Sequence, residues 1–196
     1  MKNFLFLLFT VSCFGQQCVH KNLSKDFDIS VAITRFGDKP LDETQVNITI
    51  QKKSGEGKAQ EIEFVSESLF EESYTSCDAV MSHTTGVNKD LKVIDNDYGD
   101  LVVADLNFDG REDLAIKREE GGDGGPLYFF YLQNKDGQFE TDDFLTDSVA
   151  YFPFVIDAGK KQLITLVHAN DYQMNETVFE LKGKKNWKEV SNRLVP

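Results

Sequence analysis

Asp28-Ile29-Ser30-Val31-Ala32-Ile33-Thr34 alternates polar and apolar side chains, which puts Ile29, Val31 and Ile33 on one face. Val46-Asn47-Ile48-Thr49-Ile50 does the same with Val46, Ile48 and Ile50. A period of two rather than 3.6 marks a strand with one buried face, and β-branched side chains suit that pleated surface. Working outward, Lys53-Ser54-Gly55-Glu56-Gly57 joins the second strand to Glu61-Ile62-Glu63-Phe64-Val65 as a hairpin. Glycine-bearing turns recur at Asn134-Lys135-Asp136-Gly137, Asp157-Ala158-Gly159-Lys160 and Gly183-Lys184-Lys185-Asn186, each between β-branched or aromatic runs. No stretch has the spacing and caps of an amphipathic helix, although residues 67–83 leave room for a short one before Cys77. The pattern predicts a mostly β chain, an antiparallel meander of about nine or ten strands forming a single sandwich or partly open barrel.

At 196 residues the chain is the size of one domain with its own core. It carries 33 Asp and Glu against 21 Lys and Arg, a net charge of −12. That imbalance argues against a nucleic-acid partner, because phosphate binding rests on clustered Lys and Arg. A bound cation or a cationic protein partner suits it better. The first 15 residues stand apart: Lys2, the apolar run Phe4 to Val11, then Ser12, Cys13 and Gly15. The run is too short to span a bilayer and reads as a signal peptide cleaved after Gly15, leaving residues 16–196 as one β domain. Thr10-Val11-Ser12-Cys13 also reads as a lipobox, with a lipid anchor on Cys13. Both readings export the chain, to the periplasm, the cell exterior or the outer membrane. Cys18 and Cys77 then form an even pair in an oxidising compartment, where a disulfide is the expected state and two buried free thiols the alternative.

One motif carries chemistry. Asp105-Leu106-Asn107-Phe108-Asp109-Gly110-Arg111-Glu112-Asp113 places carboxylate or amide oxygens at relative positions 1, 3, 5 and 9, with glycine at 6. Ca²⁺ takes about six to eight oxygens at about 2.3–2.6 Å, and alternate side chains of a tightly coiled loop can converge on one centre. The predicted ligands are Asp105, Asn107, Asp109, the carbonyl of Arg111, and Asp113. The same side chains would cap backbone amides in an ion-free turn. Ile116 at position 12, where an EF-hand has its bidentate Glu, and the strand-like flanks Leu101 to Ala104 and Leu114 to Ile116 exclude an EF-hand. Gly121-Gly122-Asp123-Gly124-Gly125-Pro126 lacks the Lys-Ser/Thr pair of a phosphate loop and precedes a strand, so it reads as a surface loop with Asp123 as a candidate partner contact.

A strand-flanked calcium loop with Asp at position 9 resembles the FG-GAP repeat of integrin-like propellers. One copy is present, so a propeller-like calcium hairpin is expected rather than a complete propeller. From Tyr98 to about His168, the succession DLNFDGREDLAI, GGDGGPLYFFYLQNKDGQFE and PFVIDAGKKQLIT resembles a family of exported bacterial β-proteins similar to the periplasmic inhibitors of invertebrate-type lysozymes. That family includes immunity lipoproteins against peptidoglycan hydrolases. The resemblance implies calcium in the Asp/Asn loop, a sheet strand at Tyr128 to Tyr131, and a cationic cell-wall hydrolase as partner. It covers a little over a third of the chain.

No catalytic motif stands out, and among the many Asp and Glu the sequence singles out no acid–base pair of the glycosidase kind. His20, His83 and His168 lack spaced partners such as HExxH, and there is no GxSxG elbow. Tyr172, in His168-Ala169-Asn170-Asp171-Tyr172, is the second candidate partner contact, since an exposed Tyr flanked by polar residues suits an interface; it also reads as the first residue of the next strand. The expectation is a non-catalytic, calcium-binding inhibitor or immunity protein. The alternative is an exported structural or adhesion module for carbohydrate or an envelope protein, with calcium purely structural.

Overall fold

The computed structural model describes residues 16–36, 43–66, 74–85, 98–119 and 125–196. The leader reading of residues 1–15, the lipid anchor at Cys13 and the contact at Asp123 lie outside these.

The fold is mostly β, built as stacked sheets. The first sheet is an antiparallel meander of β1 (Gln16–His20), β2 (Phe27–Arg35), β3 (Thr44–Lys52) and β4 (Gln60–Ser66), paired in chain order. The alternation of the opening stretch is realised directly. Ile29 faces Ile50, Val31 faces Ile48 and Ile33 faces Val46 across the β2–β3 ladder, and all six are buried.

The second sheet runs β5 (Ser82–Thr84), β6 (Leu101–Ala104), β7 (Asp113–Glu119), β8 (Leu127–Gln133) and β9 (Phe139–Thr141). Its ladders are antiparallel except for β5 against β6, a parallel pair. Helix α1 (Asp143–Ser148) follows, its first turn capped by Asp142, whose side chain accepts the Leu145 N–H at 2.9 Å. The third sheet is a meander of β10 (Val155–Asp157), β11 (Gln162–Asn170), β12 (Gln173–Lys182) and β13 (Asn186–Val195). Among the described residues there are thirteen strands; the excess over nine or ten comes from the three-residue strands β5, β9 and β10, too short to show a period.

The second sheet is the middle layer. Leu101, Val103, Leu114 and Ile116 point into a core shared with Ile29, Val31, Ile48 and Ile50 of the first sheet. Val102, Ala104, Ala115, Tyr128 and Phe130 point the other way, into a core with Leu163, Phe179, Leu181 and Trp187 of the third. Both faces are dry, so β6 and the start of β7 read as unbroken apolar runs rather than as alternation. On the face of the middle sheet that carries the second core, buried Lys117 Nζ lies 3.2 Å from the Asp100 carboxylate. Removing one partner of such a pair strands the other charge, at about 3–5 kcal/mol.

The disulfide Cys18–Cys77 ties β1 to a 3-10 turn at Cys77–Ala79. The Gln16 side chain reinforces the same join by accepting the Cys77 N–H at 3.2 Å. Closing a loop of 59 residues restricts the unfolded chain by about 4 kcal/mol in the chain-entropy description.

Candidate functional site

The Asp105–Asp113 segment is the connection between β6 and β7. Two residues in the left-handed region make its coil: Gly110 at φ 82° and Phe108 at φ 62°. Glycine adopts that conformation without strain, whereas Phe108 holds it while its ring packs against Trp187, centroids 6.2 Å apart. The loop is therefore wedged against the third sheet by an aromatic contact.

Its polar side chains turn inward onto the backbone. Asp105 accepts the Asp109 N–H at 3.0 Å on one oxygen and the Gly110 N–H at 2.9 Å on the other. Asn107 Oδ1 shares the Asp109 N–H at 3.1 Å. Asp109 Oδ1 accepts the Arg111 N–H at 3.0 Å, and its Oδ2 pairs with the Arg111 guanidinium. Arg111 Nε also donates to the Gln133 carbonyl at 3.0 Å, fastening the loop to the end of β8.

Asp113 is wholly buried and serves as the hub of the turn. One of its oxygens accepts the Leu106 and Asn107 N–H groups at 2.9 and 3.2 Å, and the other accepts the Gln133 N–H at 2.8 Å. Burial pushes its carboxyl up to about 7, with the Asp109 charge adding to the rise and the three amide donors opposing it. Glu112 faces the other way. It accepts the Ser24 hydroxyl at 2.5 Å and the Lys25 N–H at 2.9 Å, bracketing the loop to the segment before β2.

The donor set is all oxygen, as a hard cation requires. Asp105, Asn107 and Asp109 share a single backbone hydrogen-bond network, and each carboxylate or amide oxygen has a second lone pair beyond the bond it makes. The carboxylates of Asp105, Asp109 and Asp113 do not all approach within 4.8 Å of one another; among the described residues the one trio that does so is Cys18, Cys77 and Asp78, and there the thiols are joined as a disulfide. In this arrangement one Asp109 oxygen, Oδ2, is taken by the Arg111 guanidinium.

Tyr172 caps the hairpin between β11 and β12. Its N–H donates to Asn170 Oδ1 at 3.0 Å in an Asx turn, and its side chain is 87% exposed. Leu194 on β13, across the ladder from Asn175, is exposed as well. The ends of β11, β12 and β13 thus extend past the second core as a hairpin arm with a bare aromatic tip. Tyr172 lies in the turn itself, one residue ahead of β12. The histidines stand on three strands: His20 on β1, where burial lowers its pKa and Nδ1 lies 3.1 Å from the Ser82 hydroxyl, His83 on β5 and His168 on β11. Trp187 is a core residue, buried beneath Phe108.

Ser24, Lys25 and Gln133, which hold the loop in place, carry no signal in the sequence. Their partners lie 88, 87 and 20 residues away and two of the three contacts use backbone atoms, so no motif records them.

No family model matches the chain, and no curated protein matches it. Among solved structures, one described as that of a Xanthomonas type IV secretion system related protein superimposes with a TM-score of 0.56. It is 14% identical, with 92% of this chain and 93% of that one covered, so the likeness is one of fold over nearly the full length of both.

Proposed function

We propose that the protein is an exported, non-catalytic inhibitor or immunity protein for a cationic peptidoglycan hydrolase, with one Ca²⁺ bound at Asp105, Asn107, Asp109 and the Arg111 carbonyl. Asp113 organises that loop from beneath. The observation that carries the reading is the hairpin arm. A Tyr 87% exposed on a turn whose backbone is fixed by an Asx hydrogen bond presents an aromatic ring of the kind that fills a cleft on a partner. The charge of −12 supports a basic partner, because opposite net charges raise association rates above the neutral value. The disulfide fits an oxidising compartment, and the neighbour in fold is itself described as related to a secretion system. Among the described residues no helix is long and apolar enough to cross a membrane.

The test is inhibition of peptidoglycan hydrolysis by the purified protein against several lysozyme classes. Wild type is expected to inhibit at least one class, and Tyr172→Ala to weaken that inhibition at least tenfold with its melting temperature unchanged. Absence of inhibition in every class removes the hydrolase reading and leaves the adhesion module. Full inhibition by Tyr172→Ala removes the arm from it.

A further inference from the structure

Two clefts open side by side on the face that carries the candidate loop. One, of about 360 Å³, lies between the loop, β9 and the β12–β13 turn, with Arg111, Lys135, Lys161, Lys184 and Lys185 in its wall. The other, of about 340 Å³, lies between the β3–β4 turn and the segment before β2, with Lys25, Lys52, Lys53 and again Lys135. Gln133 and Lys135 line both, so the two form one surface.

This face reverses the charge of the molecule. Eight cationic side chains meet four carboxylates, Asp26, Asp109, Glu140 and Asp142, in a chain whose acidic residues outnumber its basic ones by 33 to 21. Three of those carboxylates are already engaged. Asp109 pairs with Arg111, Asp142 caps α1, and Glu140 accepts the Asn134 amide at 2.8 Å and lies 3.6 Å from Lys185 Nζ. Lys52 and Lys53 are positioned without being neutralised. Lys52 Nζ donates to the Asp136 carbonyl at 3.1 Å and Lys53 Nζ to the Ser24 carbonyl at 2.7 Å, neutral acceptors that fix an ammonium and leave its charge intact. Gly137 makes room for Lys52, since a Cβ there would stand 2.8 Å from its Nζ. Among the described residues Lys135 and Lys184 have no ion-pair partner.

The remaining lining is that of a site for hydroxyls. Gln133, Asn134 and Thr141 offer amide and hydroxyl groups, and Phe108 offers an apolar edge. Compact ammonium charges suit single anionic groups spaced along a chain rather than one planar carboxylate gripped by a fork. Two concave clefts of a few hundred Å³ are the size of small-ligand sites, not the flat patch of about 800 Å² per partner that a protein needs. We infer that the paired clefts bind an anionic glycan, a polyhydroxylated chain with recurring acidic groups, and that Lys135 at their junction is its central contact. The inference uses neither the hairpin arm nor an occupied calcium loop.

Titration calorimetry in EGTA at low salt tests it with four probes: an oligogalacturonate (carboxylates), a heparin oligosaccharide (sulfates), a neutral chitooligosaccharide and a poly-glutamate peptide. At least one of the two anionic glycans is expected to bind, more weakly as salt rises. Lys135→Gln is expected to reduce that affinity about tenfold, the worth of one charge-assisted contact, and Lys184→Gln to reduce it severalfold. Lys58→Gln, exposed and outside both clefts, should leave it unchanged. The proposal is overturned if neither anionic glycan binds, if the neutral glycan binds equally well, if poly-glutamate binds more tightly than both glycans, or if Lys58→Gln matches Lys135→Gln.

Discussion

Arg111 and Asp109 face each other across one turn of the candidate loop, and their pairing sets what the loop can hold. Asp109 is the fifth-position oxygen of the motif, yet its carboxylate is turned to the guanidinium two residues on. Both side chains are about a third exposed, so the pair is worth no more than about 1 kcal/mol after solvent screening. A cation drawing on Asp109 Oδ2 would compete with it. Arg111→Ala keeps the backbone carbonyl and frees Asp109, so Ca²⁺ is expected to bind up to about fivefold more tightly in titration calorimetry. Asp105→Ala and Asp109→Ala should each abolish the calcium-dependent rise in melting temperature. A wild type whose melting temperature responds to neither calcium nor EGTA shows that the loop is a turn held by its own amides. At this scale the sequence was legible in kind and not in geometry. The spacing of Asp105, Asn107, Asp109 and Asp113 shows which side chains turn inward, but an Asp accepting three amides and an Asp facing an ion share the same letter. Which one Asp113 is depends on Gln133, 20 residues away.

Turns and short elements show where local signals speak and where packing decides. The hairpin turns at Asn134 to Gly137 and Gly183 to Asn186 join the strands their glycines announce, because positive φ is a local demand; at the β10–β11 turn the positive φ falls on Lys161 instead of Gly159. Helix α1 gave no periodic signal, since six residues hold too little of a 3.6 repeat; its sole mark was Asp142 as an N-cap. The parallel pairing of β5 with β6 had no signature, because register over three residues is set by the layers around it. Two glycines separate these cases. Gly110 has a φ of 82° and nothing within 4 Å of the place a Cβ would occupy, so Gly110→Ala should cost only the conformational strain, about 1–2 kcal/mol. Gly125 has nearly the same φ of 81°, but a Cβ there would sit 1.0 Å from the ring of Tyr151, itself buried. Gly125→Ala must evict that ring, and its loss of stability in chemical denaturation should clearly exceed that of Gly110→Ala. Equal losses would mean that Tyr151 is free to move aside.

Across the whole molecule, the lysines of the paired clefts are the least legible feature. They come from the segment before β2, the end of β3 and the turns β3–β4, β8–β9, β10–β11 and β12–β13, and no linear window contains more than a pair. The layered build makes a prediction of its own. The middle sheet supplies one face to each core, so neither core can lose its packing without exposing the back of the other. Trp187, the single tryptophan, is buried in the second core, whereas Ile48 lies in the first. If the shared sheet couples the layers, fluorescence of Trp187 reports unfolding of the entire stack. Ile48→Ala, which removes buried methyl groups at a cost of about 2–5 kcal/mol, should then lower the denaturation midpoint read by Trp187 as much as the midpoint read by far-ultraviolet circular dichroism. A Trp187 midpoint that stays at the wild-type value while the dichroism splits into two steps would show that the first sheet unfolds on its own, with the middle sheet remaining on the third.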